Sequence, residues 1–399
     1  MIVKPRIRGF ICTTAHPLGC AANVREQVNR TTAQGKITGS KNALVIGCSA
    51  GYGLASRIVA AHGCGAHTVG VSLEKAPDGS KPGSAGWYNN AAFDQLASKS
   101  GLQAATFDGD AFSHDMKRQV INELKSNFGP VDLVVYSLAS PVRVDPDSGE
   151  RFRSVIKPLG EAYEAQTLTL DVLNAVGQLT PVSLEPANEA ETAATVAVMG
   201  GDDWREWIEQ CASAGVLSPG FKTIAYTYLG NDLTYAIYRG GTLGKAKEHL
   251  DQTCVELNAK FGKHGAEALV AALKAVVTQA STAIPVVPLY FSILFKVMKG
   301  QGNHEDCIEH INRLFREQLY AGSARRIDDV GRIRMDNLEL SEVVQREVLR
   351  RWQDVDQENL AAYADIQGFS EEFLKIFGFG RSDVDYDAAL TDLTSISTH

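Results

Sequence analysis

Asn42-Ala-Leu-Val-Ile-Gly-Cys-Ser-Ala-Gly-Tyr-Gly53, followed by Leu54-Ala-Ser-Arg-Ile-Val-Ala-Ala61, is an apolar strand that runs through spaced glycines into a helix. Such a turn lets backbone N–H groups and a helix N-terminus approach a pyrophosphate without interference from Cβ atoms. Gly47, Ser49, Gly51, Tyr52 and Gly53 are therefore candidate dinucleotide contacts. Their pattern, Gly-x-x-x-Gly-x-Gly, departs from Gly-x-Gly-x-x-Gly. Glu74 stands 21 residues beyond Gly53, after the run Thr68–Leu73. A carboxylate there accepts from an adenosine ribose diol and repels a 2′-phosphate, which favours NADH over NADPH.

Outward from this turn the chain alternates. Strands are expected at 44–46, 67–73, 103–108 and 131–136, and helices at 54–61, 89–99 and 113–128. Right-handed crossovers make those strands parallel. The expected fold class is α/β, a Rossmann-like, mostly parallel sheet with flanking helices and substrate-side extensions. One large domain spans 1–399, with a dinucleotide-binding core at 42–140 and a catalytic and substrate region at 221–300. Ser137, Leu138 and Ala139 end the 131–136 strand at the carboxyl edge of the sheet, where polar groups can face the nicotinamide. Asp110, beside Ala111, either reaches the adenine amino group or caps its own turn. Within 149–194 the polarity is mixed, as in an insertion, and Thr195–Met199 reads as strand-like before a helix at 203–214. A strand at 221–229, a helix at 243–261 and a further strand-bearing run at 268–277 follow. Three helical stretches after His304 are expected to pack on the cofactor region rather than form a separate module.

Composition narrows the partners. The net charge of −8, from 39 basic and 47 acidic residues, gives no electrostatic footprint for nucleic acid or an anionic membrane. The N-terminus shows no secretory signal pattern. The apolar run 276–298 is broken by polar residues, two prolines and Lys296, so it reads as buried or substrate-facing rather than as a stable membrane insertion. Seven cysteines without CxxC pairing fit a reducing cytoplasm. His304-Glu-Asp-Cys-Ile-Glu-His310 lacks zincin spacing, and neither a Gly-x-Ser-x-Gly elbow nor a Cys/His nucleophile pattern stands out.

The chemistry points elsewhere, to tyrosines before a lysine-bearing helix. Leu243, Lys247, Leu250, Cys254 and Leu257 follow steps of four and three, one inward stripe that Lys247 alone interrupts. Lys245 lies about 200° away, at roughly 100° per residue, and faces solvent. On an uninterrupted helix Tyr238 and Lys247 would lie on opposite faces. Gly240-Gly241 breaks the helix and lets Tyr238 approach from a loop. Lys247 can then hold the nicotinamide ribose hydroxyls while the tyrosine donates to an oxygen gaining negative charge.

With these sites in view, the chain resembles the FabV-type trans-2-enoyl-ACP/CoA reductases, relatives of the short-chain dehydrogenases/reductases. The resemblance covers nearly the whole chain. It rests on Lys4–Cys12, Gly47–Gly53, Gly86-Trp-Tyr-Asn89, Tyr136–Pro141, Tyr238-x8-Lys247 and Thr278-Gln-Ala-Ser-Thr-Ala-Ile-Pro285. It implies an NADH-dependent enzyme that saturates the C2=C3 bond of an enoyl-ACP or enoyl-CoA in fatty-acid elongation, largely monomeric, with Tyr238 and Lys247 as the catalytic pair. It also implies that Thr278 contacts the cofactor and that Ala280, Ile284, Pro285 and Leu289 form an acyl-side wall. Tyr228 either lines that wall or packs in the core. A short-chain carbonyl reductase using the same Tyr238 is the competing enzyme class, and a nicotinamide-binding regulatory protein the non-enzyme one.

Overall fold

Apolar runs such as residues 43–46 and 133–135 become inner strands because a parallel sheet is covered on both faces. In the computed structural model, which describes residues 1–9, 11–79, 81–279, 281–322 and 324–394, the N-terminal part contains β1 (Ile7–Arg8), β2 (Ile11–Cys12), α1 (Pro17–Ala33), β3 (Asn42–Ile46), α2 (Gly51–Ile58), β4 (His67–Ser72), α3 (Ala85–Lys99), β5 (Ala104–Asp108), α4 (His114–Glu123) and β6 (Val131–Tyr136). Next come β7 (Val142–Val144), β8 (Arg151–Arg153), β9 (Tyr163–Asp171), β10 (Val176–Leu184), α5 (Glu189–Met199), α6 (Asp202–Ser213), β11 (Leu217–Thr227), α7 (Thr242–Phe261) and β12 (Glu267–Ala272). The chain ends with α8 (Val287–Gln301), α9 (Cys307–Leu314), β13 (Ile333–Arg334), α10 (Glu342–Asp354), α11 (Leu360–Tyr363) and α12 (Ile366–Ile376).

Seven strands form one sheet in the order β13-β12-β11-β6-β3-β4-β5, and every pairing in it is parallel. From β3 the chain builds outward through β4 and β5, then returns to place β6 on the other side of β3. That reversal opens a crevice at the carboxyl ends of β3 and β6, where a doubly wound sheet binds its ligand. The expected Rossmann-like α/β class is what the chain adopts.

Most expected elements stand within a few residues of their places. Helix α3 starts at Ala85 rather than Asn89. Helices α2, α4 and α9 each run on into a π-turn, at Val59–Cys64, Leu124–Phe128 and Phe315–Leu319. One assignment is reversed. Thr195–Met199 is the end of α5, not a strand, because Asn188 and Glu191 close a capping box that starts a helix at Glu189. Five residues of apolar character carry no period that separates strand from helix, and the capping signal upstream decides. The 149–194 stretch does hold an insertion: β8, which pairs with the preceding β7, and the hairpin β9–β10 lie outside the main sheet.

The C-terminal helices are integrated. α9 packs on α2, and α10 and α12 cover α8. β13 adds an edge to β12. Helix α8 is apolar on nearly every side, with Leu289, Tyr290, Ile293, Leu294 and Phe295 all buried, so the segment read as buried is the central helix of that layer. Among the described residues no helix is long and apolar enough to cross a membrane.

Candidate active site

The β3–α2 turn is built for close backbone approach. Gly47 has φ +85°, and a Cβ there would lie 2.3 Å from the Ser137 carbonyl oxygen. A Cβ on Gly53 would lie 1.8 Å from the Gly47 oxygen. No side chain with a β-carbon fits either position without moving the strand ends. Ala50, the N-cap of α2, makes no side-chain cap, so the amides of Gly51, Tyr52 and Gly53 lack intrahelical acceptors and suit an anion. Thr278 stands against Gly51, its Cγ2 3.3 Å from where a Cβ would be. Its own loop is pinned by reciprocal bonds with Ser281 at 2.9 and 3.1 Å. A cavity of about 380 Å³ opens at Ala50–Gly51 and is bordered by Asn89, Val276 and Val277. The Tyr52 phenol donates to the Lys274 carbonyl at 2.8 Å, which leaves the Tyr52 amide as its group nearest the turn.

Glu74 lies beside this turn at the end of β4. Its Oε1 accepts from Ser49 at 2.6 Å and its Oε2 from Ser84. Each oxygen keeps a lone pair for a ribose hydroxyl. Gly86, in the first turn of α3, lets that helix sit flush against the pair, since a Cβ would come 2.0 Å from Glu74 Oε1. Asn89 then donates to the Ser49 carbonyl at 2.9 Å. At the next strand end Asp110 accepts from the Phe112 amide at 3.0 Å, so it does cap its turn, and the residue is exposed beside buried Ala111. Ser137 continues β6, donating its amide to the Ile46 carbonyl at 2.8 Å. Leu138 is half-buried and Ala139 exposed at the same edge.

Tyr238 belongs to a run of turns between β11 and α7, held by its amide donating to the Thr234 carbonyl at 3.0 Å. The turns fold back on the helix at Gly244, where a Cβ would lie 2.1 Å from the Arg239 oxygen and 2.8 Å from that of Tyr238. That contact brings the loop onto the first turn of the lysine helix. Lys247 reaches inward and donates to the Tyr226 carbonyl at the carboxyl end of β11, 3.4 Å away. Burial pushes its ammonium down to about 8, with Asp251 opposing the shift. Lys245 is exposed and pairs with Glu248 at 2.8 Å, as the helical stripe requires.

The Tyr238 ring is buried and meets the Tyr228 ring edge-on, with centroids 4.7 Å apart at 74°. The two phenols differ in what they do. Tyr228 donates to Glu339 Oε1 at 2.9 Å, as Tyr290 does from α8. Among the described residues the Tyr238 hydroxyl has no partner. Burial, and then the charge of Glu339, push the Tyr238 phenol above its ordinary range, so it stays a donor at neutral pH. Ile284, Val286, Val287 and Leu289 are buried in the same apolar cluster as Tyr238, with Pro285 half-buried beside them. Val286 holds φ +62°, a left-handed value that strains a β-branched residue by roughly 1–3 kcal/mol. Ala280 lies outside the described residues.

Sequence reasoning did not single out Gly244 or Glu339, and it used Gly86 and Asn89 only as markers of resemblance. Gly244 carried a signal, a glycine in a helix's first turn where alanine is favoured. Glu339, in Asn337-Leu-Glu-Leu340, carried none. Its partners come from 49 to 111 residues away.

The chain is similar to known reductases over nearly its whole length. Residues 2–79 match a family model described as the NAD(P)H binding domain of trans-2-enoyl-CoA reductase, and 81–320 one for the trans-2-enoyl-CoA reductase catalytic region. The boundary falls between β4 and α3, so both parts contribute strands to the one sheet. Two enoyl-[acyl-carrier-protein] reductases [NADH], from Teredinibacter turnerae and Shewanella woodyi, are 53% and 52% identical over 388 and 391 residues, with 97% of each chain covered. The Treponema denticola trans-2-enoyl-CoA reductase in complex with NAD superposes with TM-score 0.93 at 48% identity, and the Clostridium acetobutulicum enzyme in complex with NADH with 0.94 at 42%, each over 98% of both chains. Residues 327–390 match a model described as an enoyl reductase FAD binding domain. The residues there do not fit a flavin. Among the described residues the segment's only strand is the two-residue β13, with no glycine turn leading from it into a helix. The apolar faces of α10 and α12 are filled by α8, and Gly378 is packed against His16 and Cys20.

Proposed function

Because the chain belongs to the trans-2-enoyl-CoA reductase family and reduces trans-2-enoyl thioesters with NADH, we propose that Tyr238 and Lys247 are the residues that carry the reaction. NADH, when bound, supplies the hydride that adds to C3 of the conjugated chain. Negative charge then moves through C2 to the thioester carbonyl oxygen. Tyr238 donates a hydrogen bond to that oxygen, and protonation at C2 completes the saturated product. The observation that carries this reading is the division of labour between phenols: Tyr228 and Tyr290 are committed to Glu339, and Tyr238 is free to donate.

The remaining roles follow from position. Gly47, Ser49, Gly51, Tyr52 and Gly53 hold the pyrophosphate by backbone amides, with Thr278 closing over them. Glu74 takes the adenosine ribose, Asp110 and Ala111 border the adenine, and Ser137, Leu138 and Ala139 border the nicotinamide. Lys247 holds the nicotinamide ribose and lends positive potential to the site. Ala280, Ile284, Pro285 and Leu289 wall the acyl chain, which rides on acyl carrier protein or coenzyme A. Tyr228 acts there through its ring, since its hydroxyl is engaged. All of this belongs to one α/β unit over 1–399, with 42–140 serving the cofactor and 221–300 the substrate. The enzyme works in the cytoplasm, a reading supported by seven cysteines that are all free thiols, and as a monomer, as the resemblance implies.

Turnover of a crotonyl thioester with NADH deuterated at the transferring position tests the chemistry. The expected product is a butyryl thioester labelled at C3, read by mass and NMR. An alcohol that keeps its double bond would identify a carbonyl reductase instead.

A further inference from the structure

We infer that Glu339 is a positioning residue, a buried carboxylate that holds Tyr228 edge-on against Tyr238 and so sets the direction of the Tyr238 hydroxyl. The inference rests on the reading of Tyr238 as the donor to the thioester oxygen.

Glu339 is fully buried and ties three elements together. Its Oε1 accepts from Tyr228, just after β11, and from Tyr290 on α8, both at 2.9 Å. Its Oε2 accepts from the Ala275 amide at 2.6 Å, on the loop that leads from β12 to Thr278. Gln345 braces the group, donating to the Glu339 carbonyl at 2.8 Å and to the Tyr290 hydroxyl at 3.4 Å, while Asn231 donates to Gln345 at 2.7 Å. Buried Lys274 lends positive charge, its ammonium held by the Ala275 and Glu305 carbonyls at 2.7 and 2.9 Å. From Lys274 the connection reaches the phosphate turn, through the Tyr52 phenol on the Lys274 carbonyl.

An apolar group in place of Glu339 alone would strand the donors of Tyr228, Tyr290 and Ala275, so the carboxylate is what those three groups are aimed at. What a carboxylate adds is direction. The Tyr238 hydroxyl makes no hydrogen bond to other described residues, so packing orients its ring, and the Tyr228 edge is its aromatic contact. The Tyr228 ring is in turn fixed by the bond its hydroxyl makes to Glu339. Misplacing a reacting group by about 1 Å costs on the order of 10²-fold in rate, so a rotation of Tyr228 is expected to reach turnover. Tyr290 supplies an internal control. It bonds to the same oxygen at the same distance, but its ring packs against Phe291.

The test compares Tyr228→Phe, Tyr290→Phe, Glu339→Gln, Tyr238→Phe and the Tyr228→Phe/Glu339→Gln double variant in the full chain, with NADH and a crotonyl thioester. Tyr228→Phe and Glu339→Gln should each lower kcat about tenfold, with KM for the thioester and NADH affinity within about twofold. The double variant should lose no more than the worse single one, because both act through one contact. Tyr290→Phe should keep kcat within about twofold. Equal losses in Tyr228→Phe and Tyr290→Phe, an unchanged kcat in Tyr228→Phe, or losses that multiply in the double variant would each overturn the inference. If Glu339→Gln does not fold, the two phenylalanine variants decide the matter alone. Full turnover in Tyr238→Phe would remove the underlying reading and this inference with it, whereas loss there with an unchanged Tyr228→Phe removes only the inference.

Discussion

Two phenols with ring centroids 4.7 Å apart have different chemical prospects because one carboxylate engages only one of them. Tyr238→Phe removes the free hydroxyl and keeps the ring, so turnover should fall by about 10²-fold or more while NADH affinity, measured by fluorescence titration, stays within about twofold. Lys247 predicts a pH effect with a definite sign. Its buried ammonium titrates at about 8, below an ordinary lysine, so it is charged at neutral pH and neutral in mild base. NADH affinity should therefore be level below neutrality and weaken as pH rises through about 8. Lys247→Met should be weak throughout and lack that limb, while Lys245→Met, on the solvent face, should keep it. The stripe of four and three made Lys247 legible in the sequence because a helix turns its own period into a direction. Glu339 was illegible for the complementary reason: nothing local distinguishes a glutamate that three remote donors will surround from one that faces water.

Elements were most legible where period and punctuation agreed. β3, its glycine turn and α2 carry both, and so do β6 and α7. Thr195–Met199 carried neither within itself, and the residues that made it helical lay at Asn188 and Glu191. The Tyr238 loop shows the same limit. Gly240-Gly241 announced a break, but its seating on α7 depends on the missing Cβ of Gly244. Gly244→Ala gives the helix a better former by about 1 kcal/mol, yet its methyl would lie 2.1 Å from the Arg239 oxygen, so the loop must lift. Turnover should drop at least about tenfold while NADH still binds. A thermal scan alongside the kinetics checks this, and full activity in a folded Gly244→Ala enzyme would show that the loop's seat on the helix does not set the geometry of Tyr238.

At the scale of the whole molecule, residues 327–390 match a model described as an FAD binding domain, but they pack as part of one core. β13 pairs with β12, Glu339 reaches the catalytic side, and Val344, Val348, Leu360, Phe369 and Phe373 are buried in the apolar cluster that contains most of α8. At roughly 2 kcal/mol for each buried side chain these residues contribute on the order of 10 kcal/mol, as much as the entire stability of an ordinary domain, about 5–15 kcal/mol. A chain ending at Arg326 would leave α8 exposed along its length. It should be insoluble, or at best lack a cooperative thermal transition and NADH binding, and the excised 327–399 segment should neither fold nor retain a flavin. The intact chain should melt in a single transition that NADH shifts as a whole, since a ligand of the native state stabilises everything that unfolds with it. Two separate transitions, with only one moved by NADH, would mean that the C-terminal helices form an independent body and that their packing on α8 is incidental to the site.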